Sequence, residues 1–475
     1  MSSWPSISSI AKDVNSGKLT ATSLVNKSLD YIAKNKEYNA IISTTEKRAR
    51  KRAIEIDELV KKGKNAGRLA GVPFIAKDNI LCFGAETTAA SNILKSFNAP
   101  YQATVIEKIE AEGGICVAKS NLDAFAHGSS TENSDFCPTK NPIDNTRVPG
   151  GSSGGSSTSV ALGMVPFALG TDTGGSIRLP ASFCGAVGYK PTYGIVSRNG
   201  VIAMASSTDV VGPLTTNVDD AAYILEIIAG RDPLDSTTIA RDSAKYTDLA
   251  SDVKGKKIGV IKEYFSSDLN KNVRSLVEDV INKLQGAGAT IEEVSLPSIS
   301  LALACYYIIV PAEISSNLSR YDGQRFGYAS PQAKTLDESY TFSRSLGFGN
   351  EAKRRIMIGT YVLSSGYYDA YYKRAQKLRT KLINEFNKAF EEVDFLVGPT
   401  APTTAFKLGE NTSDPLQMYL TDIMTVAANL VGVPAISIPA GLSNGLPVGF
   451  QIISKQRADR ELLGVAKVTE EIINE

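Results

Sequence analysis

The sequence predicts an α/β fold in which a mixed or parallel β-sheet is covered by helices on both faces. Residues 102–112 carry apolar side chains at helical spacing, end at a glycine pair, and lead into a buried strand pattern at 115–118. The same unit recurs where a strand at 258–261 precedes an apolar helical face over 273–284 and a strand-like stretch at 290–296. Alternation of helices with buried strands is typical of a sheet between two helical layers.

The rest of the chain continues this pattern without an evident boundary. Residues 301–380 are rich in tyrosine and predict a helical region. Strand patterns return at 393–397, 435–439 and 448–453. No repeat and no long linker interrupts the chain, and 475 residues are enough to bury a large core. We therefore predict one domain over residues 1–475.

The charge balance argues against bulk binding of nucleic acid or anionic membranes. The 51 Lys and Arg residues are offset by 50 Asp and Glu residues, which gives a net charge of +1. The densest basic run, at 47–52, shares a helix with an apolar stripe, so we interpret it as a solvated helix face. The amino terminus shows no secretory signal, and the run at 160–169, taken as the longest apolar stretch, is too short to span a membrane.

The cysteine pattern predicts a reducing compartment and no metal site. The number of cysteines is odd, and no Cys-x-x-Cys pair occurs, so neither a zinc site nor a disulfide framework is expected. The cysteines are Cys82, Cys116, Cys137, Cys184 and Cys305.

Two Gly/Ser clusters and one lysine carry the chemistry. Residues 150–156 read Gly-Gly-Ser-Ser-Gly-Gly-Ser, and residues 171–178 read Thr-Asp-Thr-Gly-Gly-Ser-Ile-Arg. Lys77 follows the apolar stretch Val-Pro-Phe-Ile-Ala, which would desolvate its amine. A lysine activates serine only when neutral, which requires its pKa to fall from about 10.4 towards about 7–8. Taken alone, Lys77 also fits a lysine at a strand end whose amine reaches solvent.

Three other interpretations of the Gly/Ser clusters fail. Gly150-x-Ser152-x-Gly154 matches the nucleophile elbow of α/β-hydrolases, but that fold needs a later histidine and the only one here is His127. We expect His127 to be structural or pocket-lining rather than a catalytic base. A phosphate loop is excluded because Gly-x-x-x-x-Gly-Lys-Ser/Thr does not occur. A flexible linker is disfavoured because the first cluster runs directly into an apolar segment at 160–165.

Lys77, Ser152 and Ser176, in these local sequences and at this spacing, resemble the amidase signature family. The resemblance implies a single amidase domain with a large mixed sheet, whose catalytic core covers about residues 65–215. It further implies that Ser176 is the nucleophile, Ser152 the bridging serine after a cis peptide bond with Gly151, and Lys77 the ultimate base. Thr173, Gly174, Gly175 and Ser176 would supply backbone N–H groups to the oxyanion.

Later segments resemble one branch of that family, the glutaminase subunits of tRNA-dependent amidotransferases. The branch implies that a region at about 300–430 completes the substrate pocket, with Tyr306, Arg355 and Asp422 holding glutamine. A zwitterionic substrate needs one cation and one anion, which agrees with that pair. The segments that carry the resemblance lie at 306–307, 315–323, 347–349, 353–356, 364–372, 398–403 and 414–416.

The branch also implies the partners. Ammonia would pass to a B subunit that activates Glu-tRNA(Gln), or alternatively Asp-tRNA(Asn), with ATP and Mg²⁺, while a C subunit ties the two together. This chain itself would need no metal or cofactor, would contact tRNA mainly through the B subunit, and would work in the cytoplasm, with an organellar matrix as the alternative. A stand-alone amidase for small carboxamides and a non-enzymatic scaffold remain as other hypotheses.

The sequence departs from the family at one stretch near the pocket. Residues 123–128 read Asp-Ala-Phe-Ala-His-Gly, where the family more usually has Asp-Glu-Phe-Ala-Met-Gly. Ala124 and His127 thus replace a carboxylate and a methionine. The departure leaves the Lys77, Ser152 and Ser176 set intact and bears on substrate selection and ammonia transfer.

Overall fold

The computed structural model describes residues 4–249 and 252–475. In that part of the chain eleven strands form a single sheet between fifteen α-helices. The strands are β1 (Ile41–Thr44), β2 (Pro73–Lys77), β3 (Ile115–Ser120), β4 (Phe167–Asp172), β5 (Val187–Lys190), β6 (Val210–Thr215), β7 (Lys257–Ile261), β8 (Thr290–Val294), β9 (Phe395–Pro399), β10 (Ala435–Ser443) and β11 (Leu446–Ser454). The helices are α1 (Ile7–Asn15), α2 (Ala21–Lys34), α3 (Glu46–Lys61), α4 (Thr104–Ala111), α5 (Gly154–Ala161), α6 (Arg178–Cys184), α7 (Val218–Ile228), α8 (Lys271–Gly286), α9 (Ala302–Asn317), α10 (Leu336–Gly347), α11 (Asn350–Leu363), α12 (Lys373–Glu392), α13 (Pro415–Leu420), α14 (Val426–Val431) and α15 (Asp459–Asn474).

The sheet is mixed, as predicted, and its order is β1-β3-β2-β4-β6-β5-β10-β11-β9-β7-β8. Strands β3, β2 and β4 are parallel neighbours, and so are β9, β7 and β8. The strands between these two groups pair antiparallel. The parallel pairing of β2 with β4 brings the carboxyl ends of these two strands to one edge, where Lys77 and Asp172 lie.

Helices cover both faces of the sheet, which confirms the predicted α/β class. Strands β2 to β6 are buried along their whole length, as expected for strands with a helical layer on each side. Helices α4, α7, α15 and α8 contact one another in that order in one layer, while α5 and α6 pack together against the sheet. The two helical units that the sequence predicted are α4 with β3, and β7, α8 and β8.

The longest apolar stretch differs from the expectation. Residues 301–312 are apolar throughout, so the run at 160–169 is not the longest. The segment Pro297–Arg320 is long and apolar enough to cross a membrane by length and composition, and its apolar window of 18 residues has a mean hydropathy of 1.5. Within that window 56% of the residues are buried inside the fold, where α9 contacts α11, α12 and α14. Core packing therefore accounts for its composition.

We predict that Gly359→Ala displaces α11 from α9. A Cβ at Gly359 would lie 1.9 Å from the Pro311 carbonyl oxygen and 2.8 Å from the Ser315 Cβ, so the helices must separate. The expected result is a Tm lower by about 1–3 °C, because overpacking typically costs about 1–3 kcal/mol and the unfolding entropy of a chain of this size is about 1 kcal/mol/K. Thermal unfolding measures it, with the exposed Thr360→Ala as the control. Equal Tm values for the two variants would contradict the prediction.

Candidate active site

Lys77 ends β2, and its amine is fully buried among hydroxyl groups. Its Nζ donates to Ser152 Oγ at 2.7 Å, to Ser153 Oγ at 2.9 Å and to Thr171 Oγ1 at 2.9 Å. No carboxylate of the described residues touches it, whereas the neighbouring buried Lys119 in β3 pairs with Asp78 Oδ1 at 2.9 Å. The structure thus brings Lys77 and Ser152 together, as the resemblance implied.

Burial lowers the pKa of Lys77 to about 7. The more distant carboxylates of Asp123, Asp172 and Asp209 oppose this effect, but the loss of water around the ammonium outweighs their attraction. An amine with a pKa near 7 is largely neutral at slightly alkaline pH. A neutral amine is able to accept a proton from a serine hydroxyl at the distance of Ser152 Oγ, 2.7 Å.

Ser152 lies in the turn before α5, and its peptide bond with Gly151 is cis, as the resemblance implied. The turn is tied to the loop after β4 through its neighbour, because the Ser153 N–H donates to the Ser176 carbonyl oxygen at 3.0 Å. Ser152 is fully buried, and Ser176 is 7% exposed. Ser176 is therefore the member of the trio that solvent reaches. In the part of the chain that the structure describes, the Ser152 and Ser176 hydroxyls do not bond to each other.

The Asp172 carboxylate organises the loop that carries Ser176. It accepts the Gly175 N–H at 2.8 Å and the Ile177 N–H at 3.2 Å. Gly175 has φ +134°, and a Cβ there would lie 2.2 Å from Thr425 Oγ1, so only glycine fits. The loop conformation thus rests on a buried anion and a close backbone approach.

Arg178 neutralises that anion inside the fold. Arg178 and Asp172 are both fully buried and share two hydrogen bonds of 3.0 Å, from Nε and from one terminal nitrogen. Burial alone would raise the pKa of Asp172, but the charge and hydrogen bonds of Arg178 hold it well below its usual range. The guanidinium also donates to Gln451 and Asn429, each at 2.6 Å, which joins the serine loop to β11 and α14.

One of the four predicted oxyanion donors, the Gly175 N–H, already has a partner within the fold. The Gly175 N–H is taken by Asp172, so it does not face a substrate. Thr173 is held by its side chain, which donates to Asp209 Oδ1 at 2.7 Å. Gly174 lies against Tyr306, since a Cβ there would be 2.6 Å from the tyrosine hydroxyl oxygen. The structure therefore brings Tyr306 to the serine loop.

Arg355 on α11 is 2% exposed and is held from three sides. Its Nε donates to Glu351 Oε1 at 2.8 Å, and its guanidinium carbon lies 5.1 Å from the Tyr307 ring centre and 5.6 Å from that of Tyr419. The Tyr419 hydroxyl donates to the same Glu351 oxygen at 2.9 Å. Among the described residues only Nε of this guanidinium has a hydrogen-bond partner, so its two terminal nitrogens are available to a ligand.

Asp422 lies near this arginine and is also buried. Burial raises its pKa to about 7, against the opposing effects of a 2.6 Å hydrogen bond from Ser129 and of the Arg355 charge. A buried carboxylate with a raised pKa gains most from an incoming cation. Arg355 and Asp422 thus provide a cation and an anion within one region.

The two departures from the family lie in the turn Ala124–Ala126 and at its end. Ala124 is buried, and so is His127, whose ring is 0% exposed. The described residues place no three His, Cys, Asp or Glu side chains where they would share a metal ion. A separate cavity of about 750 Å³ lies between Tyr264, Leu269, Phe406 and Met424, and Lys77, Ser152 and Ser176 do not line it.

Sequence reasoning missed the supporting residues of the site. Ser153 and Thr171 complete the surroundings of the lysine amine, and Ser129 holds Asp422. Only Glu351 had a local signal, because it precedes Arg355 by one helical turn. The other contacts join residues far apart in the chain, so no local pattern indicates them.

The fold and the site together define a class of protein. Residues 23–463 match the sequence profile of the Amidase family, and the chain belongs to that family. It is 54% identical over 429 residues to the A subunit of the glutamyl-tRNA(Gln) amidotransferase of Caldanaerobacter subterraneus, an alignment that covers 90% of this chain and 88% of that protein.

Solved structures agree with this assignment. The crystal structure of the A subunit of glutamyl-tRNA(Gln) amidotransferase from Thermotoga maritima is 42% identical, with a TM-score of 0.80, and covers 97% of this chain and 94% of its own. The peptide amidase of Stenotrophomonas maltophilia is 28% identical, with a TM-score of 0.84, covering 99% and 97%. The predicted family and fold are confirmed, and the chain is an enzyme of the amide-hydrolysing class.

We predict that Asp172→Asn strongly destabilises the protein. The substitution leaves the Arg178 guanidinium buried without its anion, and breaking a buried pair typically costs about 3–5 kcal/mol of the free energy of unfolding. Urea unfolding measures this. Asp13→Asn, which removes an exposed pair with Lys18, is the control and should cost no more than about 1 kcal/mol. Equal losses in the two variants would contradict the prediction.

Proposed function

We propose that this chain hydrolyses glutamine through a Ser176 acyl-enzyme and supplies ammonia as the glutaminase subunit of a tRNA-dependent amidotransferase. The observation that carries the proposal is the 2.7 Å contact between the buried Lys77 amine and the Ser152 hydroxyl, next to the loop of Ser176. The identity with amidotransferase A subunits over most of the chain supports the choice of substrate.

The proton path would run along three side chains. Neutral Lys77 accepts a proton from Ser152, which accepts one from Ser176 as that hydroxyl attacks the side-chain amide carbon of glutamine. The proton then returns to the departing ammonia, and the carbon–nitrogen bond breaks. Water attacks the glutamyl ester by the same route, releasing glutamate and regenerating Ser176.

The oxyanion would be stabilised by backbone N–H groups of the serine loop. Asp172 holds the Gly175 peptide in place and takes its N–H, which leaves those of Thr173, Gly174 and Ser176 for the developing charge. Tyr306 packs against Gly174 and closes this side of the site. The Asp172–Arg178 pair thus sets the donor geometry before substrate arrives.

The charged groups of glutamine would meet Arg355 and Asp422. The terminal nitrogens of Arg355 would donate two parallel hydrogen bonds to the α-carboxylate. Asp422 would accept a hydrogen bond from the α-ammonium group. Ammonia would leave for a B subunit that holds ATP, Mg²⁺ and the misacylated tRNA, with a C subunit joining the two. We place this assembly in the cytoplasm.

The test is ammonia release from glutamine by the purified chain, alone and with candidate B and C subunits. Ser176→Ala should lower the rate by about four orders of magnitude or more, because the nucleophile is lost. Ser182→Ala, which removes a nearby buried serine on α6, should retain activity. A Ser176→Ala protein with full activity would overturn the acyl-enzyme.

The same assay separates the stand-alone amidase from the proposed glutaminase. Ser176-dependent cleavage of simple carboxamides with no release from glutamine, under any combination of subunits, would favour the former. In the proposed glutaminase, Arg355→Met impairs glutamine turnover more than carboxamide turnover, since only glutamine carries the α-carboxylate.

We predict that kcat/KM for glutamine rises with pH through about 7 and then levels. Lys77 and Asp422 both have a pKa of about 7, and both must be deprotonated to act. Below pH 6 the logarithm of kcat/KM should therefore rise with a slope approaching two, and for a carboxamide without an α-amino group with a slope of one. A pH–rate profile from 5 to 9 measures both. A flat glutamine profile between pH 5 and 7 would contradict the proton path.

A further inference from the structure

The imidazole of His127 is fully buried, and neither of its nitrogens has a hydrogen-bond partner among the described residues. A buried polar atom without a partner typically costs about 1–3 kcal/mol, so native structures seldom retain two on one ring. A ligand that supplies the missing partner would remove that cost. The ring is therefore a candidate contact for a bound molecule.

The loop of His127 lies between the two charged residues proposed to hold the substrate. Gly128, the next residue, lines a small pocket of about 60 Å³ together with Arg355 and Tyr419. Ser129, one residue further, donates to Asp422 at 2.6 Å. The main chain at this point thus runs from the pocket that Arg355 lines to the hydrogen bond with Asp422.

The loop is also fixed on its other side. Phe125 packs against Tyr321 and Phe348 with ring centres 5.2 Å and 5.5 Å apart. The Asn133 side-chain amide donates to the His127 carbonyl oxygen at 3.0 Å. The main chain that carries the imidazole is consequently held in place before any ligand binds, which lowers the entropy lost on binding.

The charge state of the ring suits a hydrogen-bond donor to an anion. Burial, followed by the positive charge of Arg355, lowers the pKa of His127 well below its usual value, so the ring is neutral. A neutral imidazole has one N–H donor and one acceptor. A carboxylate bound to Arg355 can accept a hydrogen bond from this N–H, and the positive charge of Arg355 balances the negative charge of the carboxylate.

We propose, on the basis of the glutaminase function above, that His127 donates a hydrogen bond to the α-carboxylate of the substrate beside Arg355. It is then a specificity-determining residue that selects amides of α-amino acids over simple carboxamides. The methionine that the family more usually has here lacks an N–H donor, so this chain has one more polar contact with the carboxylate.

The experiment is steady-state hydrolysis of glutamine and of a carboxamide without an α-carboxylate, by the complex and by its His127 variants. His127→Met should raise KM for glutamine about tenfold or more with kcat nearly unchanged, because the contact is equal in ground and transition states. Carboxamide kinetics should not change. His127→Gln keeps an N–H donor and should restore part of the affinity.

The control is Ser43→Ala, which removes another buried hydrogen-bonding atom without a partner among the described residues, in β1 at the edge of the sheet. It should leave both substrates unaffected. Thermal unfolding of each variant separates a lost contact from a lost fold. Calorimetric binding of glutamine to Ser176→Ala, with and without His127→Met, measures the same contact without turnover.

The outcomes distinguish the two proposals. Ser176-dependent glutamine turnover with an unchanged KM in a folded His127→Met protein would overturn the role of His127 and leave the glutaminase intact. An equal rise in KM for both substrates would also overturn it, because the effect would not depend on the carboxylate. If the parent complex neither binds glutamine nor hydrolyses it, both proposals are overturned.

Discussion

The removal of water from one lysine amine is the constraint on which the rest of this site depends. Lys77 has hydroxyl oxygens around its amine and, among the described residues, no contacting carboxylate, in contrast to Lys119 one strand away, which has Asp78. A contacting anion would favour the ammonium and leave no base. The hydroxyl groups satisfy the amine without supplying charge. The parallel pairing of β2 with β4 brings Thr171 to the amine, and the turn before α5 brings Ser152 and Ser153.

At the same edge of the sheet, Asp172 and Arg178 are also buried, but they form an ion pair instead of a neutral group. Both side chains are as buried as Lys77, yet Asp172 stays charged because the Arg178 guanidinium holds the pKa of that carboxyl well below its usual range. Such a pair contributes little net stability but defines one arrangement of the groups around it. The proposed chemistry requires that Lys77 loses its charge and that the Asp172–Arg178 ion pair stays intact.

The sequence predicted much of this architecture from local patterns. The strands of the second half and the helices α4 and α8 follow from periodicity, and Lys77, Ser152 and Ser176 from the motifs around them. The sheet order and the contacts of Lys77 with Ser153 and Thr171 did not follow, because Thr171 reaches the amine only through strand pairing that local sequence does not specify. The use of the Gly175 N–H by Asp172 was missed for a different reason. A motif marks which residues form a loop, but not which N–H groups turn inward.

The residues proposed to bind the substrate and those proposed to carry the reaction lie on different parts of the molecule. Lys77 and the serine loops lie at the ends of sheet strands, whereas Tyr306 and Arg355 lie on α9 and α11, which pack chiefly on each other and on neighbouring helices. The proposed substrate contact of Arg355 and the proposed proton path are therefore carried by separate layers, which Tyr306 joins through its contact with Gly174. Substitutions on α11 can thus change which amide is bound while the sheet is kept, which agrees with a peptide amidase and an amidotransferase subunit both being similar to this chain in fold.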